Sequence, residues 1–181
     1  MFARTERLLL RPGWFEDAPA LAAAIGNEAV AGKLARVPLP YGIADAQAYL
    51  SRPQDPLQPD FLIFTRTRGA PRLVGGAGLS REANGETELG YWIARDYWGL
   101  GFATEAGRAV IALARESLRL PRIVAGHFID NPASGRVLRK LGFRPAGRYA
   151  SRPNLARNAI LPCALYAMDM TAAAEASPMA A

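Results

Sequence analysis

The chain is poor in the residues that most often bind metals or form cross-links. Its 181 residues include one cysteine, Cys163, and one histidine, His127. A single cysteine cannot form a disulfide within the chain, which favours a reducing compartment and predicts a cytoplasmic location. One cysteine and one histidine cannot build a zinc site of the usual kind, so we expect no metal. Because the two lie far apart in sequence, a Cys–His nucleophile pair is disfavoured.

Long apolar runs are also missing. No stretch of about 18 apolar residues exists, so no transmembrane helix and no membrane partner are predicted. The first residues, MFARTERLLLRPG, are charged and contain an apolar run of only three, unlike a signal peptide. Half of all residues are hydrophobic, which predicts a folded core. We expect one domain over residues 1–170 and an Ala-rich, disordered tail at 171–181.

Positive charge is concentrated in one part of the chain. Residues 1–94 hold ten Lys/Arg and ten Asp/Glu, whereas residues 95–157 hold twelve Lys/Arg and four Asp/Glu. This excess indicates a polyanionic partner near the second region, although an Arg- and Ala-rich composition also fits a GC-rich genome. A nucleic-acid-binding module would need a basic face studded with aromatics. Aromatics make up only 9% of the chain, so we expect no nucleic-acid partner.

Hydrophobic periodicity indicates a mixed α/β chain, in which a strand meander precedes alternating helices and strands. The predicted strands cover residues 5–11, 61–66, 73–80, 86–94, 122–129, 143–149 and 161–170. Helices are predicted from Phe15 onward and at 43–50, 103–118 and 130–141. Loops are predicted at 52–60 and 150–162.

The segment YWGLGFATEAG joins a predicted strand to the strongest predicted helix. Gly99 and Gly101 leave backbone N–H groups uncovered, and a helix N-terminus adds free donors and partial positive charge. Such a turn suits a pyrophosphate group, whereas a plain tight turn is the alternative. The segment lacks the lysine of a P-loop and the GxGxxG spacing of a dinucleotide-binding unit, which disfavours both.

Two segments together resemble the GNAT N-acetyltransferase superfamily: ELGYWIA followed by WGLGFATEA, and NPASGRVLRKLGF. The chain is most similar to the branch that includes Rim-type acetyltransferases of ribosomal-protein N-termini. The resemblance extends over about residues 5–170, from TERLLLRP to ALYAM. It implies an α/β (α+β) fold with a central mixed, mostly antiparallel sheet of about six to seven strands. Helices would cover both faces, and a splayed strand pair would hold acyl-CoA.

The same resemblance implies direct acetyl transfer from acetyl-CoA, as co-substrate, to a primary amine, with a protein or peptide N-terminal amine favoured. The alternatives are a small-molecule amine (aminoglycoside, polyamine or amino acid) and an acyl-CoA-binding domain without turnover. The protein would act as a monomer or homodimer. Residues 31–40 and 150–162 would lie on the acceptor side.

The family's pyrophosphate motif, Gln/Arg-x-x-Gly-x-Gly/Ala, matches residues 98–103, with Trp98 at the leading position. By resemblance, the pantetheine arm follows the backbone at 92–94, and the diphosphate meets the amides of 100–104. Arg95, Arg136 and Lys140 are candidates for the 3′-phosphate, with solvated surface charge as the alternative for each. The implied cofactor-binding residues are Trp92, Ile93, Ala94, Trp98, Gly99, Leu100, Gly101, Phe102, Ala103, Thr104, Asn131, Ser134, Arg136 and Lys140.

Catalysis by resemblance involves two side chains. Ser134, or a water that it holds, is the implied proton donor to the thiolate, because the family's usual tyrosine is replaced by Leu138. A thiol of pKa about 8.5 is a fairly good leaving group, so a weak donor suffices. Glu88 is the candidate base, with a cross-strand arginine partner as the alternative. Cys163 is disfavoured as an acyl-enzyme nucleophile, because a thiol among apolar strand residues is usually inert.

Overall fold

A computed structural model describes residues 1–67 and 69–170, so the tail predicted at 171–181 lies outside the described residues. The strands are β1 (Ala3–Arg4), β2 (Leu8–Arg11), β3 (Asp60–Thr65), β4 (Leu73–Arg81), β5 (Thr87–Ile93), β6 (Arg122–Phe128), β7 (Arg144–Asn154) and β8 (Ala159–Asp169). The helices are α1 (Ala18–Ile25), α2 (Glu28–Ala31), α3 (Ile43–Leu50), α4 (Phe102–Glu116) and α5 (Pro132–Leu141).

The eight strands form one sheet in the order β1-β2-β3-β4-β5-β6-β8-β7. Neighbouring strands are antiparallel except β5 and β6, which run parallel. The predicted mixed, mostly antiparallel sheet is confirmed, and β1 adds an eighth strand to the seven predicted. This strand of two residues is too short to show an alternating pattern in the sequence.

Helices cover both faces of the sheet, as predicted. On one face, α4 and α5 bury Val110 and Leu138 against Leu89 and Ile93 of β5. On the other face, α1 and α3 pack over β3, mainly on its residues Leu62 and Phe64. These two sides are called the α4–α5 face and the α1–α3 face below. Period-two alternation along β5 assigns its side chains to them in turn.

The parallel pair β5–β6 is splayed. Its one registered pair is Glu88 with Val124, near the start of both strands. The hydrogen-bonded ladder does not continue to Ile93 and Phe128, so a gap opens between the carboxyl halves of the strands. This fork is the feature that the predicted acyl-CoA site requires.

The loop predicted at 150–162 is wrong. Strand β7 continues to Asn154, and β8 begins at Ala159 after a four-residue turn. The prediction rested on the arginines and asparagines of this segment, which suggested turns. In the structure Arg152 and Asn154 lie on β7, the edge strand of the sheet, where Pro153 need not remove a ladder hydrogen bond. Elsewhere the predicted elements are present with shifted ends, and the first helical segment is interrupted at Gly26 and Asn27.

Candidate active site

The turn before α4 has the geometry of an anion cradle. Gly99 and Gly101 have φ values of +81° and +82°, in the left-handed region that side chains disfavour. A Cβ at Gly99 would meet no atom within 4 Å, so the space above the turn is open. The first intrahelical bond is donated by Glu105 N to Gly101 O. The N–H groups of residues 102–104 precede that bond and are free to face an anion.

Trp98 ties this turn to the end of β5. Its indole Nε1 donates to Ile93 O at 2.7 Å, and the Arg95 guanidinium stacks 4.5 Å from its ring centroid. Trp98 therefore shapes the turn by a hydrogen bond to the strand, although it cannot supply the positive charge of an arginine.

Arg7 is a site residue that the sequence did not reveal. Its Nη1 donates to Leu100 O at 3.1 Å, and its Nη2 lies 2.6 Å from Glu105 Oε2 in the first turn of α4. Although burial opposes ionisation, hydrogen bonds from Thr5 and Arg7 lower the pKa of Glu105. The half-exposed guanidinium of Arg7 thus fixes the turn against the first turn of α4, and Glu105 balances its charge. A contact spanning 98 residues has no local signal in the sequence.

The backbone of β5 corrects part of the predicted pantetheine contact. Ala94 N donates to Val74 O in β4, whereas Ile93 O turns away from β4 to accept from Trp98. Because backbone groups alternate along a strand, Tyr91 and Ile93 direct their N–H groups toward the gap. Trp92 and Ala94 direct theirs toward β4. Ile93 therefore remains a candidate contact, and Tyr91 replaces its two neighbours.

The predicted 3′-phosphate ligands lie on the surface. Arg95, Arg136 and Lys140 are exposed, and none forms an ion pair within residues 1–67 and 69–170. Their charges are therefore available to an anionic ligand. No contact in the described residues brings Arg136 or Lys140 to the glycine turn.

Ser134 and Tyr91 form a hydroxyl pair on the α4–α5 face. Asn131 caps α5 by accepting from Ser134 N at 3.4 Å. Ser134 Oγ lies 2.8 Å from the Tyr91 hydroxyl, which also donates to Ser134 O at 3.0 Å. Burial raises the pKa of Tyr91 to about 12, although its hydrogen bond with Ser134 acts in the opposite direction. Leu138 is fully buried in the core, so that position supplies no proton donor.

Glu88 lies on the opposite face of β5. Arg152 donates to both of its carboxylate oxygens, at 2.6 and 2.8 Å. Glu88 is 7% exposed, and its hydrogen bond raises the pKa of Arg152 against the effect of burial. The arginine partner weighed from the sequence is thus present. The fork carries a carboxylate on one side and a pair of hydroxyls on the other.

The two regions predicted on the acceptor side, residues 31–40 and 150–162, are in contact with each other. Leu155 N donates to Ala35 O at 3.1 Å, and Asn154 Nδ2 donates to Gly32 O at 3.0 Å. The tip of the β7–β8 hairpin therefore borders the α1–α3 face next to the fork.

Cys163 and His127 occupy structural positions. Cys163 is buried, and burial raises the pKa of its thiol, which disfavours the thiolate. His127 Nδ1 lies 2.8 Å from Phe128 O, and its ring packs against Tyr166. Within the described ranges, no cluster of three His, Cys, Asp or Glu side chains could hold a metal ion. Across the same residues, no helix has both the length and the apolar character to cross a bilayer.

Comparison with known proteins agrees with this geometry. A sequence profile described as an acetyltransferase (GNAT) domain matches residues 7–144. The uncharacterized N-acetyltransferase YoaA of Bacillus subtilis (strain 168) is 30% identical over 154 residues, which cover 79% of this chain and 82% of YoaA. YdaF of the same strain, provisionally named a ribosomal N-acetyltransferase, is 36% identical over 67 residues, or 37% of each chain.

Solved structures share the fold. A GNAT-family acetyltransferase from Bacillus anthracis has a TM-score of 0.79 at 23% identity, covering 94% of this chain and 99% of the other. The microcin C7 self-immunity acetyltransferase MccE, solved with acetyl-CoA and AMP, has a TM-score of 0.76 at 18% identity, covering 91% and 93%. The predicted fold and the resemblance to the GNAT superfamily are confirmed. The chain belongs to the GNAT family and is an N-acetyltransferase with acetyl-CoA as co-substrate.

Proposed function

We propose that the protein acetylates the free N-terminal amine of a protein or peptide. The open space above Gly90 supports this proposal. Gly90 lies beside the fork, on the same face of β5 as Glu88. Gly90 is exposed, and a Cβ placed there would meet no atom within 4 Å. A space open to solvent at the point where the thioester would lie suits the narrow end of a peptide chain. The provisional name of YdaF supports the same class of acceptor.

The residues present fit acetyl-CoA. The N–H groups of residues 102–104 would hold the diphosphate, and Arg95 would supply positive charge beside it. Arg136 and Lys140 would be available to the 3′-phosphate. The N–H groups of Tyr91 and Ile93 would hold the pantetheine arm. When bound, acetyl-CoA supplies a thioester whose acetyl group the amine can take up directly.

Glu88 is the proposed base. Its oxygens each accept from Arg152, and each keeps a further lone-pair site for the amine or for a bridging water. An α-amino group has a pKa of about 7.7–8.0, so a modest base suffices to deprotonate it at neutral pH. Glu88 would pass this first proton to solvent. The neutral amine then forms the C–N bond with the acetyl carbon as the C–S bond breaks, and Glu88 would take up the second proton that the nitrogen releases.

Ser134 is the proposed acid on the other side of the fork. Its hydroxyl proton would pass to the departing thiolate. The Tyr91 phenol, whose one proton is donated to Ser134 O in this structure, would turn to return that proton to Ser134 Oγ and would then be reprotonated from solvent. Because the pKa of Tyr91 is about 12, the phenol stays protonated at neutral pH and can donate. Holding the two reactants together is the main source of acceleration in such direct transfer. The lone buried Cys163 is compatible with the proposed cytoplasmic location.

Release of the coenzyme A thiol shows which amine the protein accepts for acetylation. The protein is mixed with acetyl-CoA and either a short peptide or the same peptide with a blocked N-terminus, and released thiol is followed by a colour reaction. Cys163 is 2% exposed and should not contribute to the signal. The proposal predicts thiol release with the free peptide alone. Release with spermidine or an aminoglycoside but not with peptide would contradict it, and binding without turnover would indicate a sensor.

A further inference from the structure

Asp60 lies in the same cross-strand row of residues as Gly90, which borders the fork. In the antiparallel ladders, Asp60 of β3 pairs with Gly78 of β4, and Gly78 pairs with Gly90 of β5. Directly paired residues carry their side chains on the same face of a sheet. Asp60 therefore shares the α1–α3 face with Glu88, and two positions without side chains separate it from the gap. Gly78 and Gly90 are called the glycine lane below.

The Asp60 carboxylate lies close to Gly78, the nearer of these two glycines. A Cβ at Gly78 would meet Pro59 O at 2.6 Å, Asp60 Cα at 2.9 Å and Asp60 Oδ1 at 3.1 Å, so these atoms cover Gly78 and the open space begins at Gly90. Paired Cβ positions are about 5 Å apart, so Oδ1 lies within about 8 Å of the Cβ position of Gly90. The open space over Gly90 lies at the far end of that interval, since a Cβ there would meet no atom within 4 Å. Trp92, two residues beyond Gly90, covers Gly76 with its indole and so closes the neighbouring row.

Asp60 differs from Glu88 in its partners. Glu88 is neutralised by Arg152, whereas Asp60 makes no ion pair within the described part of the chain. Its Oδ2 accepts from the Tyr49 hydroxyl. The surrounding protein atoms raise the pKa of Asp60, while the Tyr49 hydrogen bond and the Arg52 charge act in the opposite direction. Part of the residue is nevertheless open to solvent, which leaves the carboxylate reachable.

We propose that Asp60 binds the ammonium group of the acceptor above Gly90, with Tyr49 orienting the carboxylate. This inference rests on the proposed acetyl transfer to an amine and names its recognition residue. A carboxylate that lacks an ion-pair partner favours a cationic group in the lane. The ligand class is therefore a primary ammonium that carries no carboxylate next to it, such as the amino end of a peptide.

Chemical shifts of the backbone amides test the inference without turnover. The isotope-labelled full chain, with coenzyme A present, is titrated with L-alanine amide and, separately, with lactamide, in which a hydroxyl replaces the ammonium. We expect saturable shifts at Gly90 and Asp60 with alanine amide alone. Asp60→Asn keeps an acceptor for Tyr49 and should weaken binding about tenfold, as loss of one charged hydrogen bond predicts. Asp169→Asn removes an equal charge far from the lane and should leave binding unchanged.

A second variant, Gly90→Val, tests the inference even if Asp60→Asn folds poorly. Gly90→Val adds a side chain on a strand where a Cβ would meet nothing within 4 Å, so the fold should be kept while the space is filled. It should abolish the alanine amide shifts. Absence of shifts at Gly90 in the wild type, or unchanged affinity in Asp60→Asn, would overturn the inference. Thiol release from acetyl-CoA with the free and the N-terminally blocked peptide, measured on the same wild-type sample, separates this failure from failure of the proposed function.

Discussion

Arg152 holds both carboxylate oxygens of Glu88 across 64 residues of sequence, with hydrogen bonds of 2.6 and 2.8 Å. The pair joins the edge hairpin to the start of the fork, because Arg152 lies on β7 and Glu88 on β5. It therefore fixes the hairpin beside the proposed acceptor space and holds Glu88 in one orientation.

Replacing Arg152 by Met should destabilise the protein by about 3 kcal/mol, because Glu88 would remain buried without its partner. The double variant Glu88→Gln/Arg152→Met should recover much of that loss, since no uncompensated charge is left. Urea denaturation of the wild type, both single variants and the double variant measures this coupling. Simple additivity of the two single effects would show that the pair contributes no interaction energy.

Glu88→Gln should reduce the acetylation rate most at pH values below about 8, where the α-amine of the acceptor is mainly protonated. At higher pH the amine is already neutral, so the variant and the wild type should converge. Initial rates across this range with a peptide acceptor provide the test. A variant whose pH–rate profile runs parallel to that of the wild type would remove Glu88 from the role of base.

Gly101→Val should abolish measurable acetyl-CoA binding. The residue has a φ of +82°, where a side chain adds strain of about 1–2 kcal/mol, and the new side chain would cover the anion's approach. Gly85→Val is a matched control, because Gly85 has a φ of +84° in a remote turn and its Cβ would also meet only an arginine end. The control should lose similar stability and keep its affinity in calorimetry. Equal affinities for both variants would place the diphosphate elsewhere.

Tyr91→Phe should lower kcat about tenfold while leaving the acetyl-CoA affinity unchanged, because only the return of a proton to Ser134 is lost. The wild-type phenol should ionise near pH 12, which ultraviolet difference titration can assign by comparison with the variant. Because the pKa of Tyr91 rises on folding, its contribution to stability is full below pH 10 and is lost as the pH rises toward 12. A Tyr91 pKa near 10 would show that the phenol is not buried as described.

The parts of the fold that depend on local signals were predictable. The turn before α4 and the cap of α5 follow from glycine, proline and asparagine within a few residues of each helix start. By contrast, the contacts of Arg7 with Glu105, of Tyr91 with Ser134 and of Glu88 with Arg152 depend on how distant elements pack. The sequence predicts a loop at Arg152, because its arginines and asparagines are typical of turns and no local signal identifies an edge strand. The glycine lane likewise depends on strand register.

Transfer of the acetyl group to an N-terminal amine is tested most directly with one peptide that offers both an α-amine and a lysine amine, by locating the acetyl group in the product. The protein is incubated with acetyl-CoA and a peptide that has a free N-terminus and an internal lysine, and the product is fragmented in a mass spectrometer. We expect acetyl on the α-amine, which Glu88 can deprotonate because its pKa is about 8, and none on the lysine, whose pKa is about 10.4. Acetyl on the lysine alone would contradict it.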